Sequence, residues 1–254
     1  MDSLFYLNFK GDNIMYIDKG NYLILEDLLE DGVSIIHTDR ILGDAKTYDK
    51  ENLKKIVNIQ DKQIVSGHQV HGTNIELIQD SHNLYFEKTD GFITNLENIA
   101  LFTKYADCLP IFFFDKKNRV IGAVHSGWMG TFENIGMKAI DLLIKDYNSK
   151  KEDIIIAFGI GISWKNYQVR NEFYENFKSK FFHDIIENSF FFENNKIYFD
   201  NQKFNYFNFI KNGIPQENII TNNLCTFDDK RFYSHRRENT NSFRNGALIY
   251  LNGK

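Results

Sequence analysis

Along the middle of the chain, apolar residues come in short blocks separated by polar turns. Residues 91–94, 99–103, 111–114, 119–125 and 154–158 each read as a β-strand, and Asp115-Lys116-Lys117-Asn118 reads as a turn. Between the last two strands the spacing predicts a helix over 131–147. Its residues Ile135, Ala139, Leu142 and Leu143 fall at i, i+4, i+7 and i+8, on one face. Upstream, 5–9 and 13–17 predict a hairpin around Lys10-Gly11-Asp12. Residues 33–37 predict a strand, 50–59 a helix carrying Leu53, Ile56 and Val57, and 63–65 and 72–78 two further strands. Downstream, Phe173, Phe177 and Phe181 form one helical stripe, and Phe204, Phe207 and Ile210 a second. Both stripes are expected to face a core. Residues 190–192 and 197–199 read as a strand pair and 247–251 as a final strand. Strands and helices do not alternate regularly. The expected class is therefore α+β, with mixed β-sheets packed between helices. Only two prolines occur, Pro110 and Pro215, and there is no linker-like stretch, so one domain over residues 1–254 is expected.

Composition narrows the class. With 43% hydrophobic and 25% charged residues in 254, the chain is an ordinary globular one with enough length for a real core. Thirty basic residues against 34 acidic give a net charge of -4 and no basic footprint for nucleic acid. The start of the chain has no signal-peptide pattern. The longest apolar runs, such as 154–162, fall short of the roughly 18 residues that span a membrane. The expectation is a cytoplasmic protein without membrane, nucleic acid or obligate protein partner. Two cysteines, Cys108 and Cys225, are far apart and outside any CxxC motif, so a disulfide is not expected.

Three segments place a reactive side chain among residues small enough for close approach. They are Gly67-His68-Gln69-Val70-His71-Gly72, Ala106-Asp107-Cys108-Leu109-Pro110 and Val124-His125-Ser126-Gly127-Trp128-Met129-Gly130. On a strand, Gln69 and His71 would share a face and His68 would point away. Cys108 reads either as a packed thiol or as a thiolate. Gly127 and Gly130 would leave backbone N–H groups open to an anion at a helix start. Together His71, Cys108 and His125 make a His2Cys set from three strand ends. Three ligands leave a fourth position open, the pattern of catalytic rather than structural zinc.

The motifs HQVHG, TDGFIT, YADCLPIFFFD, AVHSGWMG and CT, followed by FYSHRR, occur here in the order that resembles the YfiH/YlmD family, historically labelled laccase-domain or multicopper polyphenol oxidase. The resemblance runs from about Gln63 to the C-terminus, and the N-terminal third is divergent. It implies a layered α/β/β/α fold and a zinc-dependent purine nucleoside phosphorylase. The implied substrates are phosphate with adenosine, inosine, guanosine or methylthioadenosine, and adenosine deamination is implied as well. It implies His71, Cys108 and His125 as metal ligands, with Asp107 and Cys108 in the catalytic set. Arg40, Gln69, Arg236 and Arg244 are the implied substrate or phosphate contacts, beside Arg237. Met129 departs from the family, which carries a basic residue after Gly-Trp.

Two other enzyme readings compete. Cys108 with His125 as its base would make a metal-independent cysteine hydrolase or amidase, with a role in peptidoglycan editing. A copper-dependent polyphenol oxidase needs many histidines. The seven here are scattered and form no HxH pair, which argues against copper.

Overall fold

The computed structural model describes residues 16–25, 28, 31–239 and 243–253. Most of the hairpin expected over 5–17 lies outside them, and what is described is the strand Tyr16–Asp18 paired with Tyr22–Leu25.

Two sheets are stacked face to face. The seven-stranded sheet runs Tyr16–Asp18, Tyr22–Leu25, Val33–Thr38, Asn245–Leu251, Ile99–Tyr105, Gln63–Gly67, Tyr85–Phe86. The six-stranded sheet runs Ile219–Ile220, Ile154–Phe158, Leu109–Asp115, Val120–Ser126, Gly91–Thr94, Ile75–Leu77. Both mix parallel and antiparallel pairs. Alternation along each strand decides which layer a side chain enters. Leu101, Ile249, Phe112 and Phe114 face the other sheet and form the central core. Ala100, Phe102, Leu248 and Tyr250 point outward onto Leu53 of the helix Lys50–Ile56 and onto Val57, which caps it. Ile111, Phe113 and Val124 point the other way, onto Ile135, Ala139, Ile140 and Leu143 of the helix Ile135–Tyr147 and onto Phe209. The layers are helix, sheet, sheet, helix. A third sheet, Gln168–Val169, Lys196–Phe199 and Phe190–Glu193, carries a separate phenylalanine cluster with Phe173, Phe177 and Phe181.

Several local expectations are corrected. The helix expected over 131–147 is two helices, Trp128–Phe132 and Ile135–Tyr147. Asn134 between them has φ 64°, and its side-chain oxygen accepts from Asn208 at 2.7 Å. The strand expected over 72–78 is only Ile75–Leu77. On the helix Asn201–Lys211 the buried residues are Asn201, Phe204, Asn205, Tyr206, Asn208 and Phe209, and Phe207 and Ile210 are half-buried. Tertiary hydrogen bonds explain why asparagines are buried there. Asn201 donates to Ser126 O at 2.9 Å and accepts from Thr131 Oγ1 at 2.8 Å, pinning the loop before the short helix. Buried polar groups stay inside when partnered in this way.

Candidate active site

The strand Gln63–Gly67 of the seven-stranded sheet ends just before His71, and Val120–Ser126 of the six-stranded sheet carries His125. Cys108 lies in the crossing between Ile99–Tyr105 and Leu109–Asp115, where the chain passes from one sheet to the other. The site therefore sits on the seam between the sheets. One donor atom from each of His71, Cys108 and His125 lies within 4.8 Å of the others. The two imidazole rings are 4.9 Å apart at 74°.

His71 is not on a strand, so strand alternation does not place it. It has φ 61°, and the turn is held by a carboxylate that the motif reading did not single out. Asp90, from TDGFIT, is buried and accepts from the N–H groups of Val70 at 3.0 Å, His71 at 3.0 Å and Gly72 at 2.9 Å. Its Oδ1 also lies 2.9 Å from His125 Nδ1, which fixes that nitrogen as the donor and turns Nε2 toward Cys108. The only sequence signal was a carboxylate immediately before an apolar strand, between two ligand motifs.

Gly127 is the second support. A Cβ there would lie 2.8 Å from His71 Cδ2, 3.1 Å from Cys108 Sγ and 3.7 Å from His125 Cε1. A side chain here would collide with His71 and crowd Cys108, while reaching only ordinary contact with His125. The helix it opens is five residues long, so its dipole is small. Gly130 packs its α-carbon toward Gly72 O, which a Cβ would approach to 3.2 Å.

Charge is tightly coupled. Burial pushes the Cys108 thiol up, but the charge of His125 and hydrogen bonds from His125 and His71 reverse this and hold it at about 6. Burial pushes His125 down, and the Cys108 and Asp90 charges raise it to about 9. Burial raises Asp90 too, but the His125 contact and the backbone donors hold it below the usual carboxylate range. Cys108 and Asp90 thus bring two negative charges, which a dication neutralises with both imidazoles neutral. A thiolate and two imidazole nitrogens form a donor set suited to zinc.

The other predicted residues are placed less openly. Asp107, with φ 81°, accepts from Thr226 Oγ1 and from the backbone N–H of Arg236, both at 2.6 Å. Gln69 spends both amide atoms on the backbone of Lys104, at 2.8 Å each, so it does not share an open face with His71. Arg40 pairs with Glu238, donates to Phe232 O and lies over the Tyr233 ring. Arg237 donates to the carbonyls of Thr226, Phe227 and Phe232 and to Glu238. Arg244 fixes its backbone N–H on Asp44 at 2.9 Å. Arg236 is exposed, with its guanidinium 3.1 Å from Gln168 O and 5.4 Å from the Tyr167 ring centre. Burial, then the Cys108 charge, push the Tyr167 phenol up, and this unpredicted ring lies under the Arg236 guanidinium. Cys225 is buried and accepts from Ser163 N–H at 3.2 Å.

A Borreliella burgdorferi protein named purine nucleoside phosphorylase is 32% identical over 216 residues, covering 85% of this chain and 91% of that one. Two solved structures share the fold. Bacillus licheniformis YfiH has a TM-score of 0.82 at 22% identity, covering 93% of this chain and 98% of its own. Geobacillus stearothermophilus YlmD has a TM-score of 0.82 at 20% identity, covering 95% and 100%. A family model described as multi-copper polyphenol oxidoreductase laccase matches residues 39–252, so the family pattern reaches further upstream than Gln63. With its motifs, its fold and that match in agreement, the chain belongs to this family, the YfiH/YlmD family.

Proposed function

We propose that the chain is a zinc-dependent purine nucleoside phosphorylase with adenosine deaminase activity at the same site. Its proposed substrates are adenosine, inosine, guanosine and methylthioadenosine. The observation that carries this reading is the convergence of His71, Cys108 and His125 donors within 4.8 Å, with Asp90 orienting His125. The name of the Borreliella burgdorferi relative supports the nucleoside and phosphate substrates. A bound zinc supplies Lewis-acid polarisation at an open fourth position.

The chain's own residues supply the rest. Asp90 keeps its hydrogen bond to His125 Nδ1 and holds the His71 turn. In phosphorolysis a phosphate oxygen attacks C1′, the C1′–N9 bond breaks and the purine departs with a proton. Arg236 is the cation assigned to phosphate, through its planar fork. Asp107 takes the proton-transfer part by exchanging its bond from Thr226 for one from the substrate. Gln69 and Arg40 contribute by holding the chain, and Arg244 by anchoring the segment behind Arg236. In deamination water adds at C6 and ammonia leaves. No helix among the described residues is long and apolar enough to cross a membrane.

A second reading has its own observation. Cys108, His125 and Asp90 also form a thiolate, imidazolium and carboxylate series, the arrangement of a metal-independent cysteine hydrolase or amidase. Copper polyphenol oxidation has less support, because the one cluster of three ligands among the described residues cannot build several copper sites.

The test is to quantify metal in the purified protein and incubate it with adenosine, with and without phosphate. About one zinc per chain and phosphate-dependent adenine plus ribose 1-phosphate are expected, with inosine as the minor product. Inosine alone would leave deamination only. A metal-free active protein would favour the cysteine reading. No turnover of any purine nucleoside by zinc-loaded protein would end the proposal.

A further inference from the structure

The rim of the site carries an aromatic side chain that no step above uses. Trp128 is 45% exposed and directly follows Gly127, the residue pressed against all three ligand side chains. Met129 beside it is 39% exposed, and Val70, next to His71, is 41% exposed. Three exposed apolar side chains thus sit next in sequence to the ligand segments, where solvated polar groups would be the ordinary choice.

The indole is also fixed from behind. Phe173 lies 5.7 Å from it at 52° and is itself stacked on buried Phe177 at 4.7 Å and 17°. Phe173 further touches Phe199 at 5.2 Å, and Phe199 touches Tyr167 at 5.8 Å. A large flat ring with a rigid backing and a free side is suited to stack a flat ligand.

We propose that Trp128 is the surface on which the purine base of the substrate stacks, with Val70 and Met129 as apolar walls. This rests on the nucleoside reading above and specifies how the base is held. Stacking uses the face of the base, which every purine presents, and not its hydrogen-bonding edge. Selection among adenine, hypoxanthine and guanine at this wall is therefore weak.

The chain has two tryptophans, which makes the test direct. Trp164 stacks on Phe191 at 4.4 Å and lines, with Asp107, Asn222 and Cys225, a cavity of about 390 Å³ that Trp128 does not line. Trp164→Phe keeps an aromatic ring there and leaves Trp128 as the only indole emitter. Titrating this variant with adenosine should quench its fluorescence saturably, at the midpoint found by equilibrium dialysis, and ribose should leave it unchanged. Trp128→Ala should weaken adenosine binding and raise KM by about tenfold or more, with kcat within about twofold. Trp128→Phe should recover most of the loss. If adenosine binds by dialysis while the indole signal stays flat and Trp128→Ala binds as tightly as the parent, the stacking role is wrong and the nucleoside reading survives. If the parent protein binds no adenosine by dialysis, both fall.

Discussion

At His71, Cys108 and His125 the donor atoms face one another, whereas the guanidinium groups of Arg40, Arg231 and Arg237 are each engaged by other parts of the chain. Arg231 pairs with Asp229 and Asp18, and Arg237 serves three carbonyls and Glu238. Both regions stand out as motifs, yet only the first leaves its chemistry open. The difference lies in the neighbours. Gly127 gives the trio room, and Asp90 aligns it without occupying it. Arg40 and Arg237 instead donate to main-chain carbonyls of residues 226–232, which need donors, and Arg231 to the carboxylates of Asp229 and Asp18. A motif thus signals chemistry only when its polar atoms are not needed to close the local backbone.

Substitutions in the two regions should separate accordingly. Cys108→Ala should bring the largest change: bound metal falling from about one per chain to a small fraction, and nucleoside turnover falling below detection, by elemental analysis and product assay. Retained metal and activity would show that the convergence is incidental. In metal-stripped protein, alkylation of Cys108 should titrate with a midpoint near about 6, fast above it where the thiolate forms and slow below it where the thiol is protonated. His125→Ala removes the main opposing charge and should move that midpoint up toward the ordinary 9.0. An unmoved midpoint would assign the shift elsewhere. Asp90→Asn should weaken zinc affinity or activity by about 10–100-fold, read by chelator competition, because it loosens His125 without removing a ligand.

The arginine region should answer in stability. Arg237→Ala should lower unfolding stability by about 1–3 kcal/mol in a urea titration, since several carbonyls lose a charged donor. Arg236→Ala should leave that midpoint nearly unchanged and raise the phosphate KM. The reverse pattern would invert the assignment of the two side chains. The smallest effect belongs to Met129→Arg. A cation restored next to the rim should lower the phosphate KM severalfold and leave metal content alone.

Much of the framework was legible because alternation and helical spacing are local signals. The strands Gly91–Thr94 and Ile154–Phe158 match the expected bounds, and the two-sided burial of the central strands follows from their unbroken apolar runs. The three candidate ligands were legible because small residues flank them. What stayed hidden depends on distant partners. The break at Asn134 is held by Asn208, and the asparagine face of the helix Asn201–Lys211 makes sense only against Ser126 and Thr131. His71 takes its left-handed backbone because Asp90 draws three N–H groups inward. The Gln69 amide is taken up by the backbone of Lys104, and Arg40 meets Glu238 and Phe232 O, partners that no local pattern announces.

The crossing at Cys108 ties the candidate centre to the mating of two layers. One imidazole is delivered by the six-stranded sheet, and the other imidazole and the sulfur by two segments that each pass from the seven-stranded sheet to the six-stranded one. No half of this architecture can assemble the trio alone, so an ion captured there would clamp one layer to the other. Its release would report the first loosening of that joint, before either layer melts.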